Sequence, residues 1–201
     1  MPRSEATLSE VGEFAFLEKL VSRSRPSRDL LVGPGHDCAA VRGGHRDWLL
    51  TMDSLVEGVH FHQAWLTPQQ LGSRAFAINA SDIAAMGGTP RFVLVNVALP
   101  RRCSVSFLAG LQRGLARAAR EAGASVIGGN LTSAPEISVT VTLVGEMPPR
   151  RVTRGGARSG DILFVTGCLG DAAAAVFDLT SGRKPPAALM RRFVRPTARV
   201  R

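Results

Sequence analysis

Three aspartates stand at points where the sequence changes from one kind of segment to another. Asp37 follows the turn Gly33-Pro34-Gly35-His36, Asp53 follows the apolar run at 48–52, and Asp82 interrupts an otherwise apolar helical segment. Mg²⁺ prefers hard oxygen ligands and is often held by one or two carboxylates together with waters and substrate phosphates. The three positions therefore indicate a magnesium site. The alternative is structural, with Asp37 forming a turn, Asp53 capping a strand and Asp82 lying on a helix surface.

Glycine-rich turns are the second chemical signal, because glycine lets backbone N–H groups approach a phosphate closely. The turns are Gly33-Pro34-Gly35, Gly87-Gly88, Gly128-Gly129, Gly155-Gly156 and Gly167-Cys168-Leu169-Gly170. None of them matches the Walker pattern or the dinucleotide fingerprint G-x-G-x-x-G. The helix predicted after Gly170 has an N-terminus that could hold an anion, but an ordinary turn explains the same residues.

Two histidines flank a phenylalanine in the segment after Asp53. His60 and His62 are alternate residues, so they would share one face if this segment were a strand. Two histidines without a nearby cysteine make a poor zinc site. We therefore expect these side chains to form hydrogen bonds or to pack, rather than to bind a metal.

The composition is that of a folded protein. Of the 201 residues, 45% are hydrophobic and 20% are charged, which excludes wholesale disorder. No run of apolar residues is long enough to predict a transmembrane helix, and the first residues lack the apolar core of a signal peptide. Cys38, Cys103 and Cys168 lie far apart, so we expect no disulfide framework, no zinc knuckle and a cytoplasmic location.

The positive charge is concentrated in the last quarter of the chain. The net charge is +9; residues 150–201 hold 11 basic and 3 acidic residues, while residues 1–149 hold 14 and 13. We interpret this segment as a solvated or partner-covered face, with a phosphate-binding or nucleic-acid-binding patch as the alternative. We expect neither a nucleic acid nor a membrane as a partner.

Caps, glycines and apolar runs predict the elements that must position these residues. Helices are predicted after Thr7, Thr67, Ser104 or Ser106, and Gly170, and over 187–194. Strands are predicted at 30–32, 48–52, 92–99, 125–127, 137–144 and 161–166. The strands lie too close together for strict βαβ alternation. The sequence therefore predicts an α+β fold, in which helices cover one side of a mostly antiparallel sheet.

Taken in order, these segments resemble the thiamine-monophosphate kinase family. The resemblance is carried by residues 12–14, 33–41, 51–61, 79–90, 127–132, 154–161 and 165–171. The stretches DSLVEGVHF at 53–61 and SDIAAMGGTP at 81–90 are typical of this kinase rather than of its whole superfamily. That superfamily also includes aminoimidazole ribonucleotide synthetase, selenophosphate synthetase and the hydrogenase maturation ATPases.

The resemblance implies a reaction, in which ATP phosphorylates thiamine monophosphate to thiamine diphosphate without a phosphoenzyme. Direct transfer between two polyanions is physically sensible when Mg²⁺ ions neutralise both. The magnesium ligands that the resemblance implies are Asp37, Thr51, Met52, Asp53, Asp82 and Asn130. It implies His60 as a substrate contact, and Gly129, Asn130 and Arg154 as ATP contacts. It also implies a homodimer, in which the sheets of two amino-terminal domains pair into a barrel.

Three residues depart from the family pattern. His36 stands where the family usually has a second aspartate, Met52 replaces a usual threonine, and Asn130 replaces the aspartate of a Gly-Gly-Asp-Thr turn. Replacing Thr by Met costs little if that ligand uses its backbone oxygen. Two fewer negative charges should weaken a Mg²⁺ cluster. A catalytically impaired nucleotide-binding or dimerisation remnant of the kinase is therefore the alternative function.

The resemblance also implies a second α/β domain beyond the Arg-Pro-x-x-Arg motif at 195–199. We therefore expect residues 1–148 to form an amino-terminal ATP-binding, Mg²⁺-binding and dimerisation domain. Residues 149–201 would be a linker and the start of a truncated carboxy-terminal domain. Phe177, Leu189 and Phe193 would then lack their apolar cover.

Overall fold

The computed structural model describes residues 7–12, 15–18, 21, 27–150 and 152–200. Its strands are β1 (Leu30–Val32), β2 (Ala39–Val41), β3 (Trp48–Val56), β4 (Thr89–Leu99), β5 (Ser125–Ser133) and β6 (Ser138–Glu146). Its helices are α1 (Leu8–Val11), α2 (Pro68–Ala85), α3 (Val105–Glu121), α4 (Asp171–Thr180) and α5 (Ala187–Val194). A 3₁₀ turn spans Arg154–Gly156. Within these residues, no helix is long and apolar enough to cross a membrane.

The strands form one sheet in the order β1-β2-β3-β6-β4-β5. Every neighbouring pair is antiparallel except β4 and β5, which are parallel. Parallel neighbours need a crossover connection, and α3 supplies it between β4 and β5. The α+β fold with a mostly antiparallel, helix-covered sheet is confirmed.

The sheet buries one face beneath α2 and α3. In β6 the alternate residues Val139, Val141 and Leu143 are fully buried, as expected for a half-buried strand. The two helices pack closely through glycine, because a Cβ added at Gly114 would lie 1.9 Å from the carbonyl oxygen of Gln69. The other face of the sheet is left without a covering layer among the described residues.

Local signals correctly predicted where α2 and α3 begin. Thr67 and Gln70 form a capping box at the start of α2, with Pro68 in the first turn. The Ser104 side chain accepts a hydrogen bond from the Phe107 N–H and caps α3. These predictions were correct because each cap depends on residues within one turn of the helix.

The helical spacing of Val11, Phe14, Leu17 and Val21 predicts a stripe of apolar residues on a first helix that is longer than the one observed. The Thr7 N–H and hydroxyl both donate to the Glu10 carboxylate, at 2.7 and 2.9 Å. The helix ends at Val11, because Gly12 adopts a positive φ of 81°. Residues 15–18 are helical again, and Phe14 of the predicted stripe lies outside the described residues.

Two strands are longer than predicted. β6 pairs with β3 from Trp48 to Val56, so Asp53 lies inside the strand and does not cap its end. β5 continues through Gly128 and Gly129 because β4 pairs with it along this stretch. A Cβ at Gly129 would lie 1.9 Å from the Val95 carbonyl oxygen. This glycine therefore permits close strand packing and does not form the predicted turn.

One predicted strand is absent and one short strand was missed. The segment 161–166 forms no strand, and Leu163 and Phe164 are 91% and 89% exposed. An apolar run forms a strand only where another strand supplies hydrogen bonds, and none of the described residues does so here. The missed strand, β2, has only three residues and gives too short a pattern to be recognised.

The carboxy-terminal helices are partly joined to the main core, which corrects one expectation. Phe193 is only 1% exposed, because it packs against the Trp65 ring and beneath the Arg74 guanidinium. Leu189 packs at the edge of the core, whereas Phe177 is exposed as expected. The division into 1–148 and 149–201 stays a prediction.

Candidate active site

Three elements bring three aspartates towards one edge of the sheet. Asp37 lies in the loop between β1 and β2, Asp53 lies within β3, and Asp82 lies near the end of α2. The hydroxyl of Thr51 donates to Asp82 Oδ2 at 2.8 Å, which joins β3 directly to α2. β2 pairs with β3 only as far as Leu50. This edge of β3 therefore has no β2 partner where Thr51 and Asp53 lie.

The carboxylates repel one another in a partly desolvated place. Burial raises the pKa of Asp82, and the charges of Asp53 and Asp37 raise it further. The hydrogen bond from Thr51 and the charge of Arg154 act in the opposite direction. A raised carboxyl pKa means that the ionised form is disfavoured. A cation bound here would relieve that cost.

Arg154 supplies a positive charge at one of the three carboxylates. Its Nη2 atom lies 2.5 Å from Asp37 Oδ1, and its backbone N–H donates to His36 Nδ1 at 3.4 Å. The hydrogen bond from Arg154 holds the pKa of Asp37 below its ordinary value, although burial opposes it. The predicted ATP contact and the predicted metal ligand therefore lie side by side.

Cys38 follows Asp37 but is unsuited to bind a metal. Its side chain is buried, and its backbone N–H contacts the Met86 sulfur at 3.2 Å. Burial, followed by the charges of Asp82 and Asp37, raises the pKa of the thiol to about 12. Metal ligation requires the thiolate, so the useful donors at this edge are oxygens.

The donor chemistry at this edge suits Mg²⁺. Among the described residues, no three His, Cys, Asp or Glu side chains are grouped closely enough to hold a metal ion by themselves. Mg²⁺ does not need such a cage, because it keeps several waters and uses substrate phosphates as ligands. Carboxylate oxygens of Asp37, Asp53 and Asp82 and the Thr51 hydroxyl are the hard donors that it prefers.

Met52 is placed differently from its neighbours. Successive side chains of a strand point to opposite faces, so Met52 lies on the uncovered face of the sheet and is 65% exposed. Its side chain is therefore directed away from the aspartates. Only its backbone carbonyl remains as a means of contributing to a metal site.

Gly129 and Asn130 are not brought to the aspartates within this chain. They lie in β5, which β6 and β4 separate from β3 by three strand spacings, about 14 Å. Asn130 instead donates through Nδ2 to Asn96 Oδ1 at 2.9 Å. Its predicted roles in magnesium and ATP binding stay predictions, as do those of Gly129.

The two histidines do not share a strand face, which corrects that expectation. They belong to the turn after β3, where Glu57 and Phe61 form an isolated bridge. His60 Nδ1 accepts a hydrogen bond from the Val56 N–H at 3.1 Å. His62 packs edge-on against Trp65, with 4.3 Å between ring centroids. Each makes a hydrogen bond or a packing contact, as expected.

Sequence reasoning missed Asn79, which is fully buried in α2. Its Oδ1 accepts a hydrogen bond from the Asp53 N–H at 2.9 Å. The signal was available, because an amide three residues before Asp82 lies on the same helix face. It was weak, because a single polar residue in an apolar helix is usually exposed.

Comparison with known proteins assigns the family. Residues 35–147 match the AIR synthase related protein, N-terminal domain. The chain belongs to this family, which confirms the amino-terminal fold inferred from the motifs.

Among its relatives the chain is similar to thiamine-monophosphate kinases. It is 37% identical over 191 residues to the Mycobacterium tuberculosis kinase, covering 94% of this chain and 57% of that protein. It is also 37% identical over 197 residues to the Aquifex aeolicus kinase, covering 96% and 62%. The structure of AaThiL complexed with AMPPCP and TMP aligns with a TM-score of 0.88 at 36% identity, covering 98% of this chain and 63% of that one. The chain thus spans about three-fifths of these relatives.

We predict that Asp82→Asn stabilises the metal-free protein. The amide can still accept the Thr51 hydroxyl, while the cost of a partly buried charge near Asp53 and Asp37 is removed. Because solvent screens a half-buried group, we expect a gain of about 1 kcal/mol or less, or roughly 2–4 °C in Tm. Urea and thermal unfolding with a chelator present at pH 7 measure it.

The pH dependence and a control variant test whether removal of the Asp82 charge causes the gain in stability. A raised folded-state pKa destabilises the native protein above that pKa, so the gain should disappear below the ordinary value of 3.8, where both states are protonated. Asp178→Asn is the control, because Asp178 is paired with Arg183 at 2.8 Å and should gain nothing. An unchanged or lowered Tm for Asp82→Asn at pH 7 would contradict the interpretation.

Proposed function

We propose that this chain carries the ATP-binding and Mg²⁺-binding part of a kinase that phosphorylates thiamine monophosphate to thiamine diphosphate. The observation that carries the proposal is that Asp37, Asp53 and Arg154 all lie near enough to Asp82 to act on its charge, although the three aspartates come from three separate elements. Similarity to thiamine-monophosphate kinases over nearly the whole chain supports the choice of substrate. The division into 1–148 and 149–201 and a cytoplasmic location belong to the same proposal.

The acidic residues would hold Mg²⁺ with ATP as co-substrate. When bound, Mg²⁺ would neutralise the negative charges of the phosphate groups on the two substrates, which must approach each other. Asp37, Asp53 and Asp82 would contribute carboxylate oxygens, and Thr51 is kept in place by its bond to Asp82. Met52 would contribute through its backbone oxygen only.

Arg154 and His60 are suited to contact phosphate oxygens or other acceptors of the substrates. The guanidinium of Arg154 presents a planar set of donors that matches phosphate geometry. His60 accepts the Val56 N–H through Nδ1, so the neutral ring carries its proton on Nε2. An exposed N–H donor at that position is what a substrate contact requires.

Gly129 and Asn130 would contact ATP from β5, the strand at the opposite edge of the sheet from β1. Both are exposed on β5, which has no partner on its outer edge among the described residues. Asn130 keeps one carbonyl oxygen as a donor to Mg²⁺ but lacks the negative charge of an aspartate. This weaker donor is the specific observation that favours the alternative function, an impaired nucleotide-binding remnant.

A turnover assay separates the two functions. We expect the purified chain with Mg²⁺, ATP and thiamine monophosphate to form thiamine diphosphate above the level of a matched Asp53→Ala control. Calorimetry with ATP and excess Mg²⁺ is performed on the same samples. ATP binding without product would favour the remnant, and absence of both heat and product would overturn the proposal.

We predict that Arg154→Ala affects metal and nucleotide in opposite directions. Asp37 loses its ion pair, so Mg²⁺ without nucleotide should bind more tightly. ATP should bind at least about tenfold more weakly, because a charge-assisted hydrogen bond contributes about 1.5–3 kcal/mol. Arg158→Ala, in the same basic segment, is the control. If Arg154→Ala changed the affinities for Mg²⁺ and ATP in the same direction, this interpretation of the ion pair would be wrong.

A homodimer is part of the proposal because the sheet has an uncovered apolar face. Phe92, Leu94 and Met52 are exposed there. A hollow of about 230 Å³ lies beside them among Val41, Trp48, Leu50, Phe92 and Val144. Contiguous exposed apolar surface typically marks an interaction site. A second copy fits, because each copy would bring the same uncovered face.

We predict that the chain sediments with about twice the mass of one copy, because pairing would bury this apolar face. Leu94→Lys should shift it to the monomer, since a charge would be buried in the contact. Val105→Lys is the matched control, because Val105 is exposed on α3 on the other side of the molecule. A monomeric wild-type chain at micromolar concentration would refute the dimer.

A further inference from the structure

Asn79 is unusual for its complete burial. It is 0% exposed, and among the residues that the structure describes it is the one polar or charged residue in the buried class. Burying an amide without hydrogen bonds costs free energy, so such groups are kept where their bonds are made. The partners of this amide therefore indicate what it does.

Both ends of the Asn79 amide are bonded, and one partner lies at the site. Its Nδ2 donates to the Ala75 carbonyl oxygen at 3.0 Å, which fixes the orientation of the amide on α2. Its Oδ1 then accepts the Asp53 N–H at 2.9 Å. The Asp53 N–H is thus taken by a helix side chain and not by a neighbouring strand.

The Asp53 N–H needs this hydrogen bond because β2 ends before it can pair with Asp53. β2 pairs with Trp48, Leu49 and Leu50, and its pairing stops there. Asp53 lies three residues further along β3, where the backbone has lost that neighbour. One helical turn after Asn79, Asp82 accepts the hydroxyl of Thr51. Helix α2 therefore holds β3 at two alternate residues that lie on the same face of the strand.

We propose that Asn79 is a positioning residue, which fixes the backbone of Asp53 so that its carboxylate and the Thr51 hydroxyl stay in the geometry that Mg²⁺ requires. The inference rests on the proposed function. Residues that orient metal ligands, without touching the metal, commonly change metal affinity by 10–100-fold when they are substituted. A purely structural amide would contribute stability without affecting the metal.

Two substitutions separate positioning from packing. Asn79→Leu keeps the branching and the number of side-chain heavy atoms but removes the acceptor, whereas Asn79→Ala removes the acceptor and leaves a cavity. Ser73→Ala is the matched control, because Ser73 on the same helix also bonds a backbone carbonyl, that of Gly114, at 3.0 Å. Each variant is measured by urea unfolding, by calorimetry with MgCl₂ alone, and by hydrogen exchange of the Asp53 amide without metal.

We expect both Asn79 variants to lose protection of the Asp53 amide and to bind Mg²⁺ at least about tenfold more weakly. Both Asn79 variants should unfold at a lower urea concentration than the wild type, Asn79→Ala because of the cavity and Asn79→Leu because its larger side chain overpacks the site. Ser73→Ala should lose stability only. This combination separates metal positioning from general loosening of the fold.

Two outcomes would overturn the inference, and they are distinguishable. Wild-type Mg²⁺ affinity in Asn79→Leu, with the Asp53 amide exchanging freely, would show that the bond does not position the ligand. Absence of any Mg²⁺ heat in the wild type, with the Asp53 amide protected, would overturn the proposed function. The role in metal positioning would fail with it, and the bond would be structural only.

Discussion

The unequal pairing of β3 is the constraint on which the site depends. β6 pairs with all nine residues of β3, whereas β2 pairs with only its first three. The strand is thus held rigidly on one side while its other edge is left without β2 from Thr51 onward. Unpaired strand edges are usually covered or made short. Here α2 covers the edge and bonds to it through Asn79 and Asp82, so that polar groups are available beside a stable sheet.

The charge at this edge is unbalanced in a way that is typical of a binding site and not of a core. Burial and mutual repulsion disfavour the ionised form of Asp82, and Asp37 has the guanidinium of Arg154 as its counter-charge. Perturbed ionisable groups of this kind cluster at functional sites. Stability alone would be served better by neutral residues. The arrangement is understandable if a cation joins the carboxylates during function.

Sequence reasoning succeeded where the cause was local and failed where it was distant. The caps at Thr67 and Ser104 depend on neighbouring residues, and the aspartates were recognisable from their motifs. The lengths of β3 and β5 depend on β6 and β4, which no local pattern reveals. The run at 161–166 has the composition of a strand, but no strand among the described residues pairs with it. Burial of Phe193 depends on Trp65 and Arg74, more than a hundred residues earlier.

Asn79 shows why the most informative residue was also the hardest to predict. An amide in an apolar helix would be a poor choice for stability, because an apolar side chain needs no hydrogen-bond partners. Its presence makes physical sense only when the Asp53 N–H is known to lack a strand partner, and that fact depends on where β2 ends. The motif around Asp82 identifies which residues carry charge. The end of β2 explains why a neutral amide must lie one turn before it.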